Sequence, residues 1–304
     1  MSKQYKDIKV SVFIMTYNQK AYIKDALEGA LNQKTNFKYE IIVHDDASTD
    51  GTTEIVREYA QHHSDKIIAL YEDINTYSHY WDTTKKMEEQ AHGKYIANCD
   101  GDDYWSDENK LQIQYDFMES HPDYFACVHN SQVFDTKSGQ TSLYANHKTG
   151  ELSSGYVIEN AGACFHTSSW FFRNNHDGKN LGDLTRVCYM ASSGKIMYFD
   201  KCMSVYRLYT KNSWSEGIMD KFGIISDYMQ RLINYENFDK ETNYVWHENV
   251  ENISTRIKFQ VYLKMRTLYR QFKFKHRLML LLTMCLDCFG LYPLREKIRT
   301  KFHI

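Results

Sequence analysis

The feature that most constrains this chain is an alternation of hydrophobic period over its first 130 residues, with a polar cluster after each extended run. Val10 to Met15 is a continuous apolar-leaning run, the pattern of a strand buried on both faces. Residues 21–32 then place Tyr22, Ile23, Ala26, Leu27, Ala30 and Leu31 on one helical stripe. Ile41-Ile42-Val43 predicts a second buried strand, Ile55, Val56, Tyr59 and Ala60 a second helix, and Asp50 stands where it would cap that helix. Ile67 to Tyr71 predicts a third strand, 80–91 a helix, Lys94 to Cys99 a fourth strand, 111–118 a helix, and Phe125 to Val128 a fifth strand.

Strands and helices alternating at these lengths imply an α/β fold, a Rossmann-like, mostly parallel sheet flanked by helices on both faces. Ligands of such sheets bind beyond the carboxyl ends of the strands. Thr16-Tyr17-Asn18, Asp45-Asp46 and Asp100-Gly101-Asp102-Asp103 each follow a predicted strand, so three clusters distant in sequence are expected to line one crevice. From 135 to 180 the pattern weakens. Asp183 opens a predicted helix ending near Gly194, Ile196–Phe199 and Met203–Tyr206 are expected as short strands, and beyond 215 the chain turns helical. These shifts place a catalytic domain over 1–215 and a helical region over 216–304.

Neither Gly-x-Gly-x-x-Gly after the first strand nor Gly-x-x-x-x-Gly-Lys-Ser/Thr occurs, so the glycine-rich phosphate cradles are absent. A bound nucleotide would need its phosphates neutralised in another way. A divalent cation, Mn²⁺ or Mg²⁺, held by Asp100 and Asp102 meets that need, because hard cations take carboxylates together with substrate phosphates. An EF-hand is excluded, since its loop requires Gly at the sixth position and here Gly101 is second.

Val10-Ser-Val-Phe-Ile-Met-Thr-Tyr-Asn18, Ile41-Ile-Val-His-Asp-Asp-Ala-Ser-Thr-Asp-Gly-Thr52 and Gly93-Lys-Tyr-Ile-Ala-Asn-Cys-Asp-Gly-Asp-Asp-Tyr-Trp105 resemble, in order and spacing, the family 2 glycosyltransferases of GT-A fold. The resemblance spans residues 8–215 and is strongest to bacterial enzymes that build capsular, exopolysaccharide or O-antigen sugars. It implies an inverting transfer from a nucleoside-diphosphate sugar, UDP being the nucleotide most frequent in the family, to a hydroxyl of a glycan or lipid-linked oligosaccharide. It also implies that Thr16, Tyr17 and Asn18 line the nucleoside pocket and that Asp46, with Asp45 beside it, accepts a hydrogen bond from the base. Asp100-Gly-Asp102 matches the DxD element, Asp102 coming before Asp100 as metal ligand. Asp103 would orient its neighbours, and Tyr104 and Trp105 are expected to pack.

An acceptor hydroxyl has a pKa far above neutral, so displacement with inversion needs a general base. The resemblance puts that base at Asp183, ahead of Ser193-Gly-Lys-Ile-Met-Tyr-Phe-Asp200; the alternative is a plain helix cap. Ser204-Val-Tyr-Arg-Leu-Tyr209 is similar to a Tyr-Arg-x-His stretch of the family, with Tyr209 where histidine is common. Arg207 would meet diphosphate charge or form a structural ion pair, and Trp214 would stack on a sugar or pack in the core.

The net charge of −2 hides an asymmetry. Arg256 to Lys301 holds twelve Lys and Arg against two acids, so the rest of the chain carries −12. Basic residues interleaved with Ile257, Phe259, Val261 and Tyr262 suit an anionic membrane surface, the acidic body of the protein, or a subunit interface. The acidic body argues against nucleic acid as a ligand. Seven scattered cysteines predict reduced thiols and a cytoplasmic setting, at most peripheral on the inner face of the plasma membrane; Cys285-x-x-Cys288, without a second pair, reads as chance spacing. The polar N-terminus has no signal-peptide pattern, and the longest apolar run, Leu278–Leu286, is too short to span a bilayer. Two competing functions remain at this point: a nucleotidyltransferase, although its basic glycine-rich first loop is missing, and an inactive scaffold that binds nucleotide-sugar or glycan.

Overall fold

A computed structural model describes the backbone of residues 7–76, 80–175, 183–211, 213–217 and 221–271, and their side chains apart from 80–82, 214, 217, 221–223 and 267–271. Cys285, Cys288 and the basic tail beyond 271 lie outside the described residues. The chain falls into two units, Met1–Glu216 and Gly217–Ile304.

The first unit is built on strand β1 (Ile8–Thr16), whose interior residues Val10, Val12 and Ile14 are wholly buried. It pairs in parallel with β2 (Lys38–Asp45) on one side and β4 (Tyr95–Asn98) on the other, and β3 (Ile67–Tyr71) extends the parallel run beyond β2. The crossovers are helices α1 (Ile23–Leu31), α2 (Thr52–His62) and α3 (Tyr80–Gln90). The stripe read from the sequence is the buried face of α1, formed by Ile23, Ala26, Leu27 and Ala30. Full burial of side chains the size of Ile23 and Leu27 contributes about 2 kcal/mol each. Asp50 caps the start of α2 from one position further out than expected: Gly51 takes the cap position with φ 101°, and Asp50 Oδ1 accepts from the Thr52 amide at 3.0 Å.

Beyond β4 the sheet changes character. Strand β5 (Tyr104–Trp105) and helix α4 (Lys110–Ser120) lead into β6 (Tyr124–Asp135), far longer than the expected Phe125–Val128 because it leaves the core and continues half-buried. The weakly patterned stretch holds β7 (Thr141–Leu143), β8 (Gly150–Leu152), the short helix α5 (Ser154–Glu159), a 3-10 turn at Thr167–Ser169 and β9 (Phe171–Arg173). Helix α6 (Asp183–Ser193) is followed by β10 (Lys195–Leu208), where two short strands were expected. Register shifts between Phe199 and Ser204 interrupt its apolar pattern without breaking its pairing with β6.

The strand order is β3-β2-β1-β4-β9-β6-β10-β5, with β7 and β8 attached to β6 and β10. The parallel pairings are the long ones, and each antiparallel pairing spans only two or three residue pairs. The fold is therefore α/β with a large, mostly parallel sheet. A short helix α7 (Trp214–Gly217) falls at the boundary between the two units.

The second unit contains α8 (Lys221–Glu241) and α9 (His247–Gln271), packed on each other across a tight connection with Asn243 and Tyr244 in left-handed backbone. Val250, Ser254, Ile257 and Val261 form the buried stripe of α9, while Phe259 and Tyr262 are exposed. No described helix is long and apolar enough to cross a membrane.

Candidate active site

The carboxyl ends of β1, β2 and β4 bring the three polar clusters together. Thr16 and Asp45 are register partners at the ends of β1 and β2, and the turn after β4 closes on β1 through Gly101 N–H to the Met15 carbonyl at 2.8 Å. Only glycine fits there: a Cβ on residue 101 would lie 2.5 Å from Gln19 Oε1 and 2.8 Å from Thr16 Cβ.

The first two clusters chiefly shape the loops. Asn18, in left-handed backbone at φ 52°, donates its amide to Ser48 Oγ at 2.9 Å and accepts from the Thr49 amide at 2.7 Å, clasping the β2–α2 loop. Thr16 is buried and its hydroxyl donates to Gln19 Oε1 at 2.8 Å, while Tyr17 stands exposed on the rim. Asp45 is buried, accepting from the Ser48 amide at 3.2 Å and from the Thr53 hydroxyl. Asp46 is half-buried and accepts from the Thr76 amide at 2.7 Å and hydroxyl at 2.6 Å.

The acidic turn is held from the other side by β10 and the 3-10 turn. Asp100 Oδ2 accepts from the Thr167 hydroxyl at 2.7 Å, Asp102 Oδ2 from the Thr210 hydroxyl at 2.5 Å, and Asp103 Oδ1 from the Arg207 amide at 2.9 Å. Arg207 also donates from Nη1 to the Asp102 carbonyl at 3.0 Å, pairs with Asp25 of α1, and lies over the rings of Tyr104 and Tyr22. The arginine thus holds the turn by its backbone. Trp105 is buried, its indole N–H donating to the Ser168 carbonyl at 2.9 Å.

Electrostatics set this turn apart. Burial pushes Asp100 up to about 7, with further upward pressure from the charges of Asp183 and then Asp102. Burial also raises Asp102, and raises Asp103 well above the usual carboxylate range with the help of Asp102 and Asp100. Asp183 is the exposed first residue of α6, and its charge acts on Asp100. Adjacent carboxylates that resist ionising together are relieved by a cation. Their hard oxygen donors fit Mg²⁺ or Mn²⁺. Among the described residues no three His, Cys, Asp or Glu side chains are gathered around one ion position. Two carboxylates with substrate phosphate and water are the usual donor set for such a cation, so the residues present fit it.

Tyr209 sits in left-handed backbone at φ 64°, its ring 4.6 Å from Lys137 Nζ, and the next residue, Thr210, is the one that reaches the acidic turn. The Trp214 side chain lies outside the described residues. Sequence reasoning did not find Thr76, Thr167, Thr210 or His166. The one available signal was the hydroxyl-rich Thr167-Ser168-Ser169 directly before the apolar run Trp170-Phe171-Phe172.

Comparison with known proteins agrees with this architecture. An uncharacterized protein of Mycobacterium tuberculosis (strain H37Rv) is 30% identical over 219 residues, covering 70% of this chain and 62% of that protein; the match thus spans less than two thirds of its length. The UDP-Glc:alpha-D-GlcNAc-diphosphoundecaprenol beta-1,3-glucosyltransferase WfaP of Escherichia coli is 36% identical over 118 residues, 38% of this chain and 44% of that one. The fold is similar to S. aureus TarS 1-349 in complex with UDP, with a TM-score of 0.60 at 16% identity, over 89% of this chain and 77% of that one. Residues 11–188 match the family described as Glycosyl transferase family 2, more than half of the sequence, and the chain belongs to that family of glycosyltransferases.

Proposed function

We propose that the chain is an inverting, divalent-metal-dependent glycosyltransferase that moves a sugar from a UDP-sugar to a hydroxyl of a glycan or lipid-linked acceptor in surface polysaccharide synthesis. The observation that carries this reading is the buried acidic turn at the carboxyl end of β4, its carboxylates held by Thr167, Thr210 and the Arg207 amide, with the charge of Asp183 acting on Asp100. Asp102 and Asp100 would hold the cation, whose charge, when bound, offsets that of the diphosphate leaving group. The protein's own part is positional. Thr167, Thr210 and Arg207 fix the turn, and Asn18 and Asp45 fix the loops where the nucleoside is read. Asp46 would accept from a uracil N–H, with Tyr17 at the rim. Asp183 takes the acceptor proton as its oxygen attacks the anomeric carbon from the face opposite the diphosphate, in one displacement with inversion and no covalent intermediate. The UDP bound by TarS and the UDP-Glc named for WfaP support UDP as the donor nucleotide.

The test is release of nucleoside diphosphate from UDP-, GDP- and dTDP-sugars with Mn²⁺ or Mg²⁺. Release from the UDP-sugar alone, abolished by chelation and lowered at least 100-fold in Asp102→Asn, is the expected result. Failure to bind any nucleotide in the presence of metal would overturn the reading.

For the helical region we propose contact with an anionic lipid surface. On α9, Lys258, Phe259, Tyr262 and Arg266 share one exposed face, next to the buried stripe of Val250, Ser254, Ile257 and Val261. Sedimentation with phosphatidylglycerol vesicles should pull down the chain and be lost in Phe259→Ser/Tyr262→Ser. Equal sedimentation with neutral vesicles, or no loss in the double variant, contradicts this.

A further inference from the structure

Asp46 stands where the base would be read, and one of its two carboxylate oxygens is already taken. Oδ1 accepts from the Thr76 amide at 2.7 Å and from the Thr76 hydroxyl at 2.6 Å. A carboxylate oxygen has two lone pairs, so two donors fill it. Among the described residues no hydrogen bond reaches Oδ2, and Asp46 is half-buried rather than sealed.

The anchor is itself held. Thr76 lies between β3 and α3, its hydroxyl 3.2 Å from that of Thr83, a buried residue of α3. A hydroxyl has one proton, and Thr76 gives its proton to Asp46, so Thr83 is the donor in the second contact. On the backbone side the Asp46 amide donates to the Thr16 carbonyl at 3.0 Å, and Asn75 Nδ2 reaches the Asp46 carbonyl at 3.4 Å. Main chain and one oxygen are fixed, and the other oxygen is presented by itself.

Bases differ in what they offer such a group. Uracil and thymine carry one ring N–H, at N3, which a single carboxylate oxygen satisfies. Guanine carries N1–H and the N2 amino group side by side, a pair that takes both oxygens of a carboxylate. Cytosine has no proton at N3 and sets a lone pair against the carboxylate. A base whose polar groups go unpaired in the site is rejected.

We propose that Thr76 is a positioning residue that sets nucleotide specificity: by filling Oδ1 of Asp46 it leaves one acceptor for the base, which selects uracil or thymine over guanine. The inference rests on the proposed role of Asp46 in binding the nucleoside of the donor.

The test is calorimetry of UDP, GDP and CDP binding with Mn²⁺. Wild type should favour UDP over GDP by about tenfold or more. Thr76→Val keeps the backbone bond and frees one lone pair of Oδ1, so the preference for UDP over GDP should shrink about fivefold to tenfold, while Thr76→Ser keeps the hydroxyl and the wild-type preference. Asp46→Asn reads the anchoring directly. The two donors of Thr76 require an acceptor, so they hold the amide oxygen and turn Nδ2 toward the base. That variant should bind CDP more tightly than UDP, reversing the wild-type order. An unchanged UDP preference in Thr76→Val, or CDP no tighter than UDP in Asp46→Asn, would overturn the inference. So would equal binding of UDP and GDP by the wild type, with the donor-site reading left standing. If the wild type binds no nucleoside diphosphate with Mn²⁺, that reading itself fails and this inference falls with it.

Discussion

The two halves of the sheet solve the problem of burial differently. Around β1, β2 and β4 one side of the sheet is a continuous apolar core, in which Val10, Val12, Ile14, Ile41, Val43 and Ala97 are all fully buried, and polar burial is confined to the alternate positions, as in the Ser11–Glu40 pair. Around β6, β9 and β10 the interior is threaded with polar groups. Ser204 Oγ lies 2.8 Å from both Ser131 Oγ and Ser168 Oγ, joining β6, β10 and the 3-10 turn. Lys110, wholly buried, donates to Gln114 Oε1 at 2.8 Å and lies 4.0 Å from the Trp105 ring centre, while Gln114 reaches the carbonyls of Cys127 and Ser169. An apolar core tolerates exchange of similar side chains, whereas a hydrogen-bonded one specifies each partner. The acidic turn is where the two meet: the apolar half supplies its backbone anchor on β1, and the polar half supplies Thr167, Thr210 and Arg207.

That comparison can be broken most sharply at two glycines. Gly101→Ala drives a Cβ into Gln19 and Thr16 at the meeting point, and is expected to cost about 2–3 kcal/mol and most of the donor-binding affinity. Gly150→Ala on β8, where a Cβ would meet nothing within 4 Å, should stay within about 0.5 kcal/mol. Urea unfolding and UDP titration of both variants check this; equal effects would contradict the role given to the turn.

Lys110 sharpens the comparison through pH. Burial pushes its ammonium down to about 7, against about 10.4 in the unfolded chain. Between those values the unfolded state binds more protons than the native state. This group's contribution to stability therefore rises with pH across that window, and is lost as pH falls through the folded value. The difference in unfolding free energy between wild type and Lys110→Met should climb from pH 7 to 10, by up to about 1.4 kcal/mol per pH unit. A flat difference would mean that the lysine is not buried as a cation-resisting group.

The same contrast explains what the sequence disclosed. Strands of the apolar half announce themselves as runs such as Ile41-Ile42-Val43, and the clusters after them were placed together correctly from topology alone. Strand β10 did not show itself as one element, because Asp200, Lys201 and Cys202 interrupt its apolar residues while its pairing with β6 continues through bulges. The roles of Thr167 and Thr210 were invisible for a related reason. A hydroxyl that steadies a carboxylate 67 or 108 residues away leaves no periodic trace. Tyr209 stands where histidine is common in the family, and the contact to Asp102 comes from its neighbour Thr210.

The central claim is that Asp183 and the acidic turn form one site for glycosyl transfer. It is tested most directly by metal-dependent UDP release from the UDP-sugar in Asp183→Asn, measured beside UDP affinity in the same preparation. The account predicts release lowered at least 100-fold, with UDP binding unchanged or tighter, because the proposed general base is gone and the repulsion on Asp100 is relieved. Release at the wild-type rate, or loss of UDP binding along with release, would contradict it.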